Sequence, residues 1–266
     1  MPLFDLPLVL ELAALGLCTG FLAGLLGIGG GMIMVPFMLM ILTARGYPAE
    51  HGLKMAVATS LATICFTSLS SVYAHHQRGA VQWRLVRLLA PGILAGSVLG
   101  AQVAVGMPVK VMSIVFAVFV AFSATQMLLN RKPKPSRTLP GAAGIFGAGA
   151  VIGGVSALVG AGGAFVSVPF MTWCNVKIHE AVATSAALGF PIALFGTAGY
   201  IWAGRALEPM PGAFGYLYLP GLLVISLASV TMAPLGARTA HRLDVRPLRK
   251  LFAMMLYALA AYFLLR

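Results

Sequence analysis

Two glycine-rich blocks carry the residue types best suited to chemistry. Gly27, Gly29, Gly30 and Gly31 precede Met32, and Gly160, Gly162 and Gly163 precede Ala164. Glycine interrupts a helix and lets a ligand approach the backbone closely. The N–H groups that open the next helix have no partner within it and carry the positive end of its dipole. Such an end holds an anion without a buried lysine. Each block is followed by an AVATS run, at 56–60 and 181–185, which supplies Thr59, Ser60, Thr184 and Ser185. Their hydroxyls donate to an oxyanion without titrating. The candidate anion site is therefore Gly29, Gly30, Gly31, Thr59, Ser60, Gly162, Gly163, Thr184 and Ser185. The competing reading is structural: glycines allow close packing, and hydroxyls bond back to their own helix. Neither block matches a dinucleotide-binding or Walker loop, since position 32 is Met and no GK[ST] follows.

Ionisable candidates are few. Lys54 lies just before the first AVATS, and His179 and Glu180 just before the second. They are candidates for a gate or a proton relay; the alternative is an interfacial position at a helix end. No carboxylate except Glu11 falls deep in an apolar run, which argues against a carboxylate-lined cation path. No His/Cys/Asp cluster suits a metal and no Ser-His-Asp order suits catalysis. The expectation is no enzyme, no metal and no cofactor.

The elements that must hold these residues follow from composition. The 266 residues are 60% apolar and 9% charged, with mean hydropathy +0.95. Soluble domains carry about 25% charged residues. That excludes a soluble enzyme, a disordered chain and a disulfide scaffold, and predicts an all-α integral membrane protein in the lipid bilayer. Cys18, Cys65 and Cys174 stand alone in apolar stretches, without metal spacing. The first residues lack the basic n-region of a signal peptide, so the first apolar run reads as a retained helix.

Ten apolar segments are expected: 7–28, 32–44, 54–75, 85–105 and 109–129, then 139–160, 163–175, 180–203, 213–235 and 248–265. Segments 32–44 and 163–175 are short; 13 residues reach about 20 Å, less than the roughly 30 Å hydrocarbon core. The architecture is thus eight to ten transmembrane or half-membrane helices. The net charge of +12 reads as topogenic charge rather than a nucleic-acid footprint. With alternating spans and the N-terminus outside, 13 of the 18 basic residues fall inside and five outside. The positive-inside rule then places both termini outside and the basic linker 130–138 in the cytoplasm.

The chain also repeats itself. Residues 20–38, GFLAGLLGIGGGMIMVPFM, and 153–171, GGVSALVGAGGAFVSVPFM, are identical at nine of 19 positions without a gap. The AVATS runs match at an offset of 125; further matches pair Pro91-Gly92 with Pro220-Gly221 and Leu99-Gly100-Ala101 with Leu235-Gly236-Ala237. The organisation is a first membrane repeat, 1–129, the linker 130–138, and a second membrane repeat, 139–266. Five segments per half make the repeats inverted, as in many secondary transporters; four true spans per half would make them parallel. Gly16, Gly20 and Gly24, and Gly92, Gly96 and Gly100, are spaced four apart and suit helix–helix contact.

GLLGIGGGMIMVPFM, ALVGAGGAFVSVPFM and the two AVATS runs resemble the TauE/SafE family of sulfite exporters, also called TSUP permeases, from about residue 10 to 265. The resemblance implies a bacterial cytoplasmic-membrane permease for a small sulfur-containing anion such as sulfite or an organosulfonate, with about eight helices. A passive anion channel and a non-transporting membrane scaffold are the alternatives. Proton coupling is compatible with Lys54, His179 and Glu180. A nucleic-acid partner is not expected.

Overall fold

The computed structural model describes residues 5–26, 31–129, 138–240 and 245–265. Among these, ten helices run in order: α1 Leu6–Leu26, α2 Gly31–Ala44, α3 Ala49–Gln77, α4 Trp83–Gly106, α5 Val109–Leu129, α6 Ala142–Val159, α7 Ala164–Trp173, α8 Ile178–Gly204, α9 Leu219–Ala240 and α10 Val245–Leu265. The fold is an all-α membrane bundle, and seven of these helices are long and apolar enough to cross a bilayer. Large apolar side chains such as Leu10, Leu99, Val118, Phe122 and Leu227 face outward, where hydrocarbon replaces water as solvent. α2 and α7 span only about 21 Å and 15 Å at 1.5 Å per residue, so neither crosses the hydrocarbon alone. These are the two segments that the sequence marks as short.

Packing partners exchange when the halves are exchanged. α4 packs chiefly on α6, and α9 on α1; α3 packs on α8, and α5 on α10. Helix directions follow from residues in contact. Leu61 meets Gly196 and Ser68 meets Gly189, so α3 and α8 are antiparallel. Phe116 packs on Phe263 and the Thr125 hydroxyl meets that of Tyr257, so α5 and α10 are antiparallel too. Along α4 and α6 the contacts advance together, from Gly92 with Phe146 to Gly100 with Gly154; α1 and α9 advance likewise, from Gly16 with Ile225 to Gly20 with Ser229. Both pairs are parallel.

Glycine makes these two seams possible. A Cβ on Gly100 would lie 2.5 Å from the Gly154 carbonyl oxygen, and one on Gly20 2.5 Å from Ser229 Cα. The small-residue faces in the sequence are thus helix contacts. The seams also correct one repeat match. Leu89 and Ile93 meet Gly149 and Gly153 as Ile225 and Ser229 meet Gly16 and Gly20. That register is an offset of 136, which keeps Leu99-Gly100-Ala101 with 235–237 but not Pro91-Gly92 with Pro220-Gly221. Pro220 sits in the first turn of α9, whereas Pro91 lies inside α4.

The offset therefore grows by eleven residues between α3/α8 and α4/α9. The extra chain forms a hairpin, strands β1 Ala213–Phe214 and β2 Leu217–Tyr218, antiparallel with Ala213 opposite Tyr218. The sequence reading placed these residues in an apolar span from 213. Gly215 turns the hairpin with φ +59°, beside Gly204. Tyr216 and Tyr218 are buried. Tyr218 packs edge-on against Tyr47 and Tyr216 against His51 and Tyr200, while the Tyr47 hydroxyl donates to the Pro211 carbonyl. The equivalent link between α3 and α4 is only residues 78–82.

Candidate functional site

The last glycine of the first block meets the second block. α6 ends at Val159, capped by Gly160, and α7 begins at Ala164, with Gly160 at φ +69° and Gly163 at φ +80°. Both values lie in the left-handed region that glycine alone adopts without cost. α2 begins at Gly31, and Gly31 lies directly against the Gly160 carbonyl. Gly160 is also in contact with Val35 of α2 and Val57 of α3. Gly29 and Gly30 lie outside the described residues. The start of α2 thus touches the first residue of the break between α6 and α7, between the antiparallel helices α3 and α8.

The second break leaves backbone donors open. The Gly160 and Ala161 N–H groups both donate to the Ser156 carbonyl, and the Val166 and Ser167 N–H groups to the Gly163 carbonyl. For the N–H groups of Gly162, Gly163, Ala164 and Phe165 there is no backbone acceptor among the described residues. They are the orphan donors of the α7 N-terminus, where positive dipole charge concentrates.

The AVATS hydroxyls are fully buried and each has a partner. Ser60 Oγ donates to the Gly160 carbonyl at 2.9 Å and so pins the second break to α3. Ser185 Oγ accepts from Ser167 Oγ at 2.7 Å, joining α8 to α7. The threonines act as a related pair. Thr59 Oγ1 accepts the Tyr218 N–H at 3.0 Å and Thr184 Oγ1 accepts the Gln82 N–H at 3.0 Å. Tyr218 and Gln82 directly precede α9 and α4. Each threonine therefore satisfies an N–H at the start of the equivalent helix of the opposite half. Thr59 also donates back to the Met55 carbonyl.

Lys54 and Glu180 sit at opposite ends of α4. Lys54 is buried, and its Nζ donates at 2.6 Å to the carbonyl of Val105 in the last turn. That is an orphan acceptor at the negative end of the helix dipole. At the other end, Glu180 accepts from the Gln82 side-chain amide. His179 is two-thirds exposed, with Nε2 3.9 Å from Glu180. His179 and Glu180 thus share one surface, remote along α4 from Lys54. Glu11, the one deep carboxylate candidate, is half exposed and pairs with Arg45 at 3.5 Å.

Sequence reasoning missed Ser156. It lies one turn before the end of α6, is fully buried, and its Oγ has no hydrogen-bond partner among the described residues. Thr19, Thr43, Thr59, Thr63, Ser123 and Thr172 all bond back to the carbonyl four residues earlier; Ser156 does not. A Cβ built on Gly163 would lie 3.2 Å from Ser156 Oγ, so the hydroxyl faces the break. Ala23 is its counterpart in the ungapped repeat alignment, so no recurrence marked it.

Residues 12–263 match the family described as sulfite exporter TauE/SafE. This chain belongs to the TauE/SafE family. It is 34% identical over 248 residues to a probable membrane transporter protein of Haemophilus influenzae, covering 92% of this chain and 94% of that one. A probable membrane transporter protein of Methanocaldococcus jannaschii is 24% identical over 265 residues, 98% of both chains. The probable membrane transporter protein YunE of Bacillus subtilis is 28% identical over 228 residues, covering 76% of this chain and 84% of YunE. The TauE/SafE chain described here is accordingly a multi-pass membrane transporter and not an enzyme. The two glycine breaks and both AVATS runs lie within the matched residues.

Proposed function

We propose that this TauE/SafE transporter carries a small sulfur-containing oxyanion, sulfite or an organosulfonate, across the cytoplasmic membrane by alternating access. The observation that carries the reading is the contact of the α2 start with the second break, Gly31 against Gly160, with four N–H groups at the start of α7 that have no backbone acceptor among the described residues. Irregular backbone inside a membrane is tolerated only where protein buries it or where it lines a wet cavity. Donors fixed on backbone hold an anion without a buried cation, so release needs no ion pair to be broken. Gly31, Gly162 and Gly163 are the described glycines of this site, and Gly29 and Gly30 are assigned to it from the repeat alone. Ser60 and Ser185 hold its two sides, and Thr59 and Thr184 tie it to the helices that rock around it.

The halves are read as inverted repeats. Support comes from equivalent helices that run antiparallel, α3 with α8 and α5 with α10. On this reading residues 130–138 are cytoplasmic and both termini outside. Lys54 and Glu180 brace α4, one at each end, and the exposed His179–Glu180 pair is where a coupled proton would enter.

The test is uptake of labelled sulfite, sulfate, a sulfonate and rubidium by proteoliposomes holding the purified protein. Saturable uptake of an oxyanion, lost in Gly163→Val with folded protein retained, supports the proposal. Uptake that never saturates identifies a channel; uptake of rubidium alone, or of nothing, rejects the anion reading.

A further inference from the structure

We infer that the anion site is one-sided: Ser156 is a direct ligand, and only the second half supplies a complete oxyanion pocket. The inference rests on the anion reading above and specifies its site. Two independent features converge. α7 opens with four N–H groups that have no backbone acceptor among the described residues, all within Gly162–Phe165. Ser156 Oγ, fully buried and without a hydrogen-bond partner among the described residues, faces the same turn at Gly163. A buried hydroxyl left without a partner costs free energy, and membrane interiors offer no water to relieve it. A helical serine has a cheap alternative in its own helix, the carbonyl one turn back. Ser156 forgoes it and points into the break.

The ligand class follows from the donors. Backbone N–H groups and one hydroxyl supply hydrogen bonds to oxygens bearing negative charge, with no charged group among them. Such a set suits a small, compact oxyanion whose two or three oxygens on one centre engage several of the donors at once. Because serine also accepts, Ser156 accommodates an oxyanion that keeps one proton, as bisulfite does at neutral pH. At the equivalent position the first half has Ala23, and Met34 replaces Ser167. The first break therefore lacks both hydroxyls. One anion per chain, held by the second half, is the consequence.

The experiment uses purified full-length protein in detergent, with sulfite as the probe and thermal stabilisation as the readout. Three single variants are compared with wild type. Ser156→Ala is expected to raise the sulfite concentration for half-maximal stabilisation at least tenfold, while leaving the melting temperature without sulfite within a few degrees. Ser156→Thr, which keeps the hydroxyl, is expected to recover most of the affinity. Ser97→Ala is the control: Ser97 is equally buried and also lacks a partner among the described residues, but lies in the α4–α6 seam beside Gly153. It should not change sulfite affinity. If Ser156→Ala binds sulfite as wild type does, or if Ser97→Ala loses as much, the inference fails while the anion reading stands. If wild type is stabilised by no oxyanion, sulfate and a sulfonate included, both fail. Chloride that stabilises as well as sulfite would also overturn the assigned ligand class.

Discussion

Gly160→Ala measures how tightly the two breaks are seated. Two costs add at this position. The φ of +69° is left-handed, which costs a residue with a Cβ about 1–2 kcal/mol. The new Cβ would also lie 2.9 Å from Val35 Cγ2, 3.2 Å from Val57 Cα and 3.3 Å from Val57 O. Two of those three atoms are backbone of α3 and cannot swing away; overpacking of this kind costs roughly 1–3 kcal/mol. The sum is about 2–5 kcal/mol. Gly79→Ala supplies the reference, since Gly79 has φ +65° but nothing within 4 Å of its Cβ position. It bears the backbone cost alone, about 1–2 kcal/mol. Unfolding both variants and wild type by SDS titration in mixed micelles gives the difference directly. Gly160→Ala should exceed Gly79→Ala by about 1–3 kcal/mol. Equal losses would show that the break at Gly160 is loosely packed, and would refute the argument that α2 and α3 clamp it.

Other outcomes follow from the same contacts. Thr59→Val and Thr184→Val each leave an N–H without its acceptor, the buried one of Tyr218 or the part-buried one of Gln82. Each should destabilise by about 1–3 kcal/mol in the same SDS titration, and by similar amounts if the two halves use them alike. The Arg45 guanidinium, 2.5 Å from Asp5, holds that carboxyl below the usual carboxylate range through its hydrogen bond. Stability from this pair is therefore full above about pH 4, where the unfolded carboxyl is ionised. It is lost as pH falls through the lower folded value. Thermal melts of wild type and Asp5→Asn should differ at neutral pH and converge in strong acid. A cysteine replacing Ser136 in the linker should react with an impermeant maleimide only from the cytoplasmic side; labelling from outside would reverse the proposed topology.

Much of the fold was legible because lipid imposes one rule everywhere. Apolar runs had to be helices, and two runs too short to cross had to be partial helices beside glycine breaks. The ungapped match of 20–38 with 153–171 marked the break at Gly160–Gly163 and the start of α2 at Gly31. The limits of that legibility are equally physical. AVATS recurrence drew attention to four hydroxyls, but recurrence does not distinguish a ligand from a pin. Thr59 and Thr184 each accept the N–H that precedes a helix of the opposite half. The hairpin at 213–218 was hidden because Ala213, Phe214, Leu217 and Tyr218 are as apolar as a span. Its insertion also misled the Pro-Gly match, since only the α1–α9 and α4–α6 seams fix that register. Lys54 reads as a helix-end residue until α3 is seen to begin at Ala49, which buries it beside Val105. Ser156 was silent because a lone serine in an apolar helix carries no pattern; its orientation toward Gly163 exists only in three dimensions.

The central claim is that one oxyanion sits at the second glycine break. Anomalous scattering from crystals soaked in selenite, a selenium analogue of sulfite, tests it most directly. The predicted result is a single strong selenium peak whose oxygens lie within about 3.2 Å of the Gly163 and Ala164 N–H nitrogens and of Ser156 Oγ. A peak beside Lys54 or among the loop arginines, or none at the break under conditions where selenite uptake saturates, would contradict the account.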